Sequence, residues 1–534
     1  MTGKHLDQDR PESAANDVSD VVRRTWQAVL HVPDVAEEDD FFVTGGHSML
    51  ATRLMSRLRK ELGPQLPMGL VFTCPVFGDL VSEVRACLAN QAGLAGLVAS
   101  GRTTGPVSMQ QEELLRIEFA LGPSPANNVV AALMTGVPVR EDALRRALQW
   151  VLNRHSALRL GFRGDGEQVI MPPITLPEVE LTVVSDPGDD MAVRKALRRA
   201  HLIPFDLERG NMLRAQLFRR PGGEVLALHM HHLCVDGLSQ AVLLDDLSAA
   251  YGAFVNGTAT PHDLEGPSYL DYAAWQRVEH DALLASSRVH WTQVVTNLAA
   301  EREPGRLRPR AVRYVRCIAE VPADVVADLR GWAMTEGATH FVALASAAAA
   351  AVAGDRSRQL VGVGTLLDNR SHAAVERMIG PFANSTLLAI EIGAACTPRA
   401  LVRAVHHQLS ESRRWAEAPL TSLLDQPCAE LGLDMTDLID VVVSVDQPYS
   451  AAPDSPLPLV PIPDHGAPLM DTAIAAPPSV SFYLIPDGTL RVSAEVADTD
   501  PAATRTLATH VAAAVRTFAT APDAPLSPSK ALVQ

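Results

Sequence analysis

Leu228-His229-Met230-His231-His232-Leu233-Cys234-Val235-Asp236-Gly237-Leu238-Ser239 runs from a strand-like segment into a helix-like one. Val225 to Met230 is strand-like and mostly apolar, and from Leu238 to Tyr251 apolar residues recur at helical spacing. A strand-to-helix loop is a common seat for reacting side chains. Imidazole works near neutral pH as base or hydrogen-bond donor, and Gly237 predicts a tight backbone turn beside it. His229 and His231 project to one face of the strand, a spacing that metal sites use, but no CxxC pair accompanies them and no metal is expected. Histidines satisfied within a core are the other reading of such a pattern.

Outward from this segment, strand-like runs such as Val441 to Val445 alternate with helical patterns at Glu141 to Leu152 and Pro322 to Trp332, which predicts an α/β region large enough for two lobes. A hairpin is expected from Val480 to Ile485, a turn at Pro486-Asp487-Gly488, and Thr489 to Val496; a last helix follows Asp500-Pro501. Pro448 to Pro478 reads as loop. At 534 residues, with 47% hydrophobic and 20% charged residues, the chain has material for at least two cores. A net charge of -16 without a basic block argues against nucleic acid. Phe341 to Gly354 is shorter than the roughly 20 residues that cross a bilayer and reads as a buried helix, so no membrane association is expected. The polar N-terminus and six scattered cysteines suit a cytoplasmic protein.

Toward the N-terminus, residues 1 to about 17 read as disordered, and Val18 to Leu30 as a helix. Further helices are expected from Ser48 to Leu62, around Leu70 to Phe72, and from Val76 to Leu88, an all-α four-helix bundle. In Asp40-Phe41-Phe42-Val43-Thr44-Gly45-Gly46-His47-Ser48-Met49-Leu50 a serine follows two glycines at a helix start. The glycines expose its hydroxyl, and the unpaired N–H groups and positive dipole end favour an attached phosphate. An N-cap serine after a turn is the plainer alternative.

Both segments resemble known families. FFVTGGHSML, with Phe72 and the Pro75-Val76 step, is similar to the attachment motif of peptidyl-carrier proteins. HHLCVDG matches HHxxxDG of condensation domains and their chloramphenicol-acetyltransferase-like relatives. Arg154 to Phe162 resembles RHExLRTxF, Pro204 to Leu207 resembles PFDL, Tyr269 to Gln276 resembles YxDYAxWQ, and Gly364-Thr365 through Arg370 with Ile379-Gly380 and Asn384 resembles GTPVANR…IGxFVNT. SxAQxRLW survives only weakly at Ser108 to Leu115, Leu238 stands where the family has Trp, and HQDxPF becomes Trp415 to Leu420. These departures bear on substrate preference.

The resemblance implies a nonribosomal peptide synthetase subunit: a carrier domain over 18–90, a linker over 91–106, and an α/β two-lobed condensation domain over 107–520. It implies that Ser48 carries 4'-phosphopantetheine, placed by a phosphopantetheinyl transferase and charged by a separate adenylation enzyme. His232 is expected to act as base or positioning group in amide formation, with His231 mostly structural, Gly237 leaving room for substrate, and Asp236 paired with Arg370. Arg159 is expected as a second structural partner of the site, and Cys234 as a small core filler. Only a short tail follows the last helix, so the acceptor, an aminoacyl carrier or a free amine, is expected in trans. An epimerisation domain and a non-catalytic recruiting platform are the alternatives. The later motifs Leu367 to Arg370 and Val443 to Gln447 do not match the epimerisation pattern, and the intact His232, Asp236 and Gly237 argue against a platform.

Overall fold

The computed structural model describes the backbone from residue 12 to 526, apart from residues 31, 42–43, 45–47, 64–65, 67–69, 90–96, 123, 165, 186, 221–222, 261–265, 303–310, 357–358, 371–372, 394, 414, 416–417, 447–448, 450, 452–454, 463–471, 475–476, 486 and 498–500. It divides into two compact units: Met1–Leu97 with Arg330–His340 and Arg370–Arg377, and Val98–Leu329 with Phe341–Asn369 and Met378–Gln534.

In the first unit, helices span Glu12–Leu30, Ser48–Leu62, Leu70–Thr73 and Phe77–Ala89. The first begins earlier than the apolar spacing indicates, because the polar residues before Val18 continue its backbone. Trp26 is fully buried and meets Phe41 and Phe77 edge-on, at 5.0 and 5.7 Å between ring centroids. Leu54, Met55 and Leu58 come to the same cluster from one face of the second helix, as spacings of three and four residues require.

The second unit is built on two large sheets. One has five strands in the order Val460–Pro461, Asn128–Thr135, Glu224–His231, Leu213–Arg219 and Leu181–Ser185. Glu224–His231 is paired on both sides, antiparallel to each neighbour, and is buried from Val225 onward. That is why its sequence is almost continuously apolar instead of alternating. The other sheet has seven strands in the order Asn384–Glu391, Leu360–Leu367, Val441–Asp446, Ser479–Leu484, Leu490–Ala497, Ala311–Val321 and Thr472–Ile474. Ser479–Leu484 and Leu490–Ala497 form the expected hairpin. The helix His340–Arg356 buries its alanines, as expected, and among the described residues no single helix is long and apolar enough to cross a membrane.

Two stretches read from the sequence as linker or loop contain short strands. Within the expected linker, Thr104–Pro106 is a strand paired antiparallel with Glu167–Ile170, and Ser100 donates to Asp271. Within the expected loop Pro448 to Pro478, Val460–Pro461 adds to the five-stranded sheet and Thr472–Ile474 to the seven-stranded one. Such short strands carry no periodicity and exist only because a sheet edge is there to pair with.

Gly362 stands where a Cβ would lie 1.9 Å from the carbonyl oxygen of Leu438. A backbone atom held in a sheet cannot give way as a side chain would. Gly362→Ala is expected to cost about 1–3 kcal/mol, read as a lower urea midpoint, whereas Gly136→Ala, whose Cβ would meet nothing within 4 Å, leaves the midpoint in place.

Candidate active site

His232 is the first residue past the strand Glu224–His231. Its amide N–H donates to the carbonyl of Asn127 at 2.8 Å, one rung beyond the ladder that ends by pairing Asn128 with His231. An edge of the residue reaches solvent, but Nδ1 is buried and takes no hydrogen bond of ordinary geometry. Desolvation by burial is the main reason its imidazole titrates below the usual histidine range, and His231 adds to the shift. Asp236 and the backbone at His232 and Val235 oppose it. At neutral pH the ring is therefore uncharged and able to take a proton.

Asp236 caps the helix Gly237–Asn256. One carboxylate oxygen accepts from Ser239 N at 2.8 Å, and the other from Phe382 N at 3.0 Å and Ala383 N at 3.3 Å. Ser239 Oγ donates to Gly380 O at 2.8 Å, so the helix start and the segment 380–383 are bonded twice over. Gly380 is required here, since a Cβ would fall 2.0 Å from the Tyr269 ring. Tyr269 donates to Pro381 O at 2.9 Å. Gly380 and Tyr269 were legible only as family motif positions and Ser239 only as a helix start, not as members of one assembly.

The weak match at Ser108 also acquires a role. Ser108 and Gln111 form a capping box for the helix Met109–Leu121. Gln111 Nε2 donates to Leu233 O at 3.1 Å, and Gln110 Nε2 donates to Asn384 at 2.9 Å. Gln111, which this motif keeps, reaches the loop of His232, and Gln110, which stands where the motif has Ala, reaches the strand after Ala383.

His231 is buried, with Nδ1 accepting from Leu233 N at 3.2 Å. Cys234 is fully buried, and burial pushes its thiol up to about 12, which suits a filler. Gly237 is the first residue of its helix and has no left-handed φ, so no tight turn depends on it; a Cβ there would meet nothing within 4 Å, which fits the expectation that it leaves space. Arg159, expected as a structural partner of the site, is buried. Its guanidinium serves the carbonyls of Leu152, Asn153 and Met171, and it bonds to none of the motif residues among those described. An arginine in RHExLRTxF thus secures its own loop. Arg370 donates to the carbonyls of Val375 and Glu376 within its unit. His229 Nε2 lies 3.2 Å from Gln216 Oε1, and among the described residues no three His, Cys, Asp or Glu side chains are grouped to hold a metal.

Residues 102–455 match the family model described as condensation domain, and residues 20–84 the one described as phosphopantetheine attachment site. The chain belongs to the condensation-domain family. Malpibaldin synthetase of Mortierella alpina is 27% identical over 429 residues, 78% of this chain and 8% of that protein. Tyrocidine synthase 3 of Brevibacillus parabrevis is 25% identical over 454 residues, 82% of this chain and 7% of that protein. The chain thus spans no more than 8% of the length of these relatives. In fold it is similar to the first condensation domain of the calcium-dependent antibiotic synthetase, in complex with a substrate analogue, with a TM-score of 0.67 at 18% identity, covering 79% of this chain and 98% of that one. Condensation domains form amide bonds by acyl transfer in nonribosomal peptide synthetases, and a phosphopantetheine attachment domain bears 4'-phosphopantetheine covalently.

The residues at the start of Ser48–Leu62 fit such a group. Ser48 is the first residue of that helix, and no acidic side chain stands in its first turn to repel a phosphodiester. The approach to it is fixed: Phe41 N donates to Pro75 O at 2.8 Å, and Thr44 N to Asp40 O at 2.9 Å. Gly45, Gly46 and His47 lie outside the described residues, as does the side chain of Ser48.

Asp236→Ala strips an acceptor from three backbone amides. At roughly 1 kcal/mol or more for each buried donor left unpaired, a loss near 3 kcal/mol is expected in urea unfolding, with Asp236→Asn losing less because one acceptor oxygen stays.

Burial also lowers His229 to about 4 from 6.5, helped by His201 and Arg214. The unfolded chain takes up that proton near pH 6.5 and the folded chain only near 4, so stability is full above 6.5 and falls as pH drops between the two, by at most about 3 kcal/mol. His229→Gln is expected to flatten this acid limb, measured as the difference between urea midpoints at neutral and mildly acidic pH.

Proposed function

We propose that this chain is a carrier–condensation segment in which Ser48 bears the 4'-phosphopantetheine arm and the domain around His232 joins the tethered acyl group to an acceptor amine supplied in trans. The observation that carries the reading is His232: an uncharged imidazole with a buried Nδ1, on a residue whose amide is bonded to Asn127 at a strand-to-helix junction of a condensation domain. The arm supplies a thiol that holds the acyl group as a thioester.

An acyl thioester is already activated, so the residues have chiefly to align the amine with the carbonyl and to accept charge and a proton as the bond forms. His232 takes the amine proton or holds the amine in place. Asp236, occupied by backbone amides, acts through structure. Its pairing with Arg370 is part of this proposal on the resemblance alone, as are the carrier as a four-helix bundle, the boundaries 18–90, 91–106 and 107–520, the phosphopantetheinyl transferase, the separate adenylation enzyme, and a cytoplasmic location. The attachment site matched at residues 20–84 supplies the tether for one of the two substrates, and the other is the one proposed to come in trans.

The test loads the chain with an L-alanyl group from alanyl-coenzyme A and a phosphopantetheinyl transferase. Ser48→Ala is expected to take up no mass. The loaded chain should stay loaded until a glycyl-carrier or glycine ester is added, then give up its alanyl group as the amide of that amine, with His232→Ala slower by about a hundredfold or more. Inversion of the alanyl centre with no amine present would identify an epimerisation domain, and a rate indifferent to His232→Ala would identify a recruiting platform.

A further inference from the structure

Beneath the His232 loop lies a carboxylate that the motif does not include. Glu118 is 6% exposed, Asn127 8% and His231 1%. A buried carboxylate is held only where donors meet it. Asn127 Nδ2 donates to Glu118 Oε1 at 2.7 Å, and the same oxygen lies 3.4 Å from His231 Nε2. His231 Nδ1 accepts the amide of Leu233 at 3.2 Å, so the neutral ring carries its proton on Nε2, facing Glu118. The carbonyl of Asn127 in turn accepts the amide of His232 at 2.8 Å. Gln111, which donates to Leu233 O, stands seven residues before Glu118 on the helix Met109–Leu121, two turns away on the same face.

We propose that Glu118 and Asn127 are positioning residues for His232: with Gln111 they tie the residues on either side of it to one helix and set the direction in which its imidazole leaves the strand. Glu118 does so through the hydrogen bond it accepts from Asn127, with the His231 ring 3.4 Å away on its other side. Neither residue touches substrate in this arrangement. The inference deepens the proposed condensation activity and rests on it for its kinetic consequence, while the contact itself stands apart from any activity.

The experiment follows the full chain in two ways. With 15N-labelled histidine, the backbone amide of His232 and the ring nitrogens of His231 and His232 are compared in the parent, Glu118→Ala, Glu118→Gln and Asn127→Ala. Amide formation from the alanyl-loaded chain is measured against glycine ester concentration. Glu118→Ala and Asn127→Ala are expected to shift the His232 amide and ring signals and to lower kcat roughly tenfold with KM within about twofold. Glu118→Gln, which still accepts from Asn127, should recover most of the rate. Should Glu118→Ala fail to fold, Asn127→Ala keeps the main-chain carbonyl and carries the same expectation. Unmoved His232 signals in the folded variants overturn the proposal whatever the rate does. A parent chain that forms no amide overturns the proposed activity, and the spectra still decide whether Glu118 positions His232.

Discussion

The carboxylate of Asp236 is the constraint on which the site depends. It accepts three backbone amides, one from the helix it caps and two from a segment about 146 residues away in sequence. Ionised acceptors make stronger hydrogen bonds than neutral ones, and three donors converging on one buried group remove most of the freedom of both segments. What the motif's aspartate contributes is a junction: the strand Glu224–His231 ends, the helix Gly237–Asn256 begins, and residues 380–383 are drawn against both.

From that junction the burial of His232 follows. Its loop is closed in by Leu233, Cys234 and Val235, all fully buried, and its Nδ1 is buried while the residue as a whole is only partly so. The desolvated imidazole is uncharged near neutral pH, the state in which it can receive a proton from an attacking amine. Gly237, whose neighbourhood is open, and the exposed Leu238 lie at the mouth of the helix that Asp236 caps. A larger apolar side chain at Leu238, where the resembling motif has Trp, would cover more of that surface.

The attachment domain follows a different economy. Its serine opens a helix, and that helix start is held by a small core in which Trp26 meets Phe41 and Phe77. Phe41 lies seven residues before Ser48, so burying it anchors the loop that leads to the helix, and the bonds from Phe41 N to Pro75 O and from Phe77 N to Asp39 O tie that loop to the last helix.

By itself the sequence determined the family, the strand-to-helix placement of His232, and the helix that opens at Ser48. These are local properties: a motif of seven residues, an apolar run, and a period of three to four residues carry their own information. The hairpin was legible for the same reason. Tertiary structure decided the remainder. The amides that Asp236 holds, the Gln110–Asn384 bond between residues 274 apart, and the pairing of Val460–Pro461 with Asn128–Thr135 depend on partners that no local pattern names. It also chose three carbonyls near its own loop as the partners of the Arg159 guanidinium, and removed the turn expected at Gly237, because a helix begins there in ordinary backbone geometry. Hydrogen-bond partners distant in sequence are chosen by how sheets and helices pack, and that choice is made only once the chain has folded.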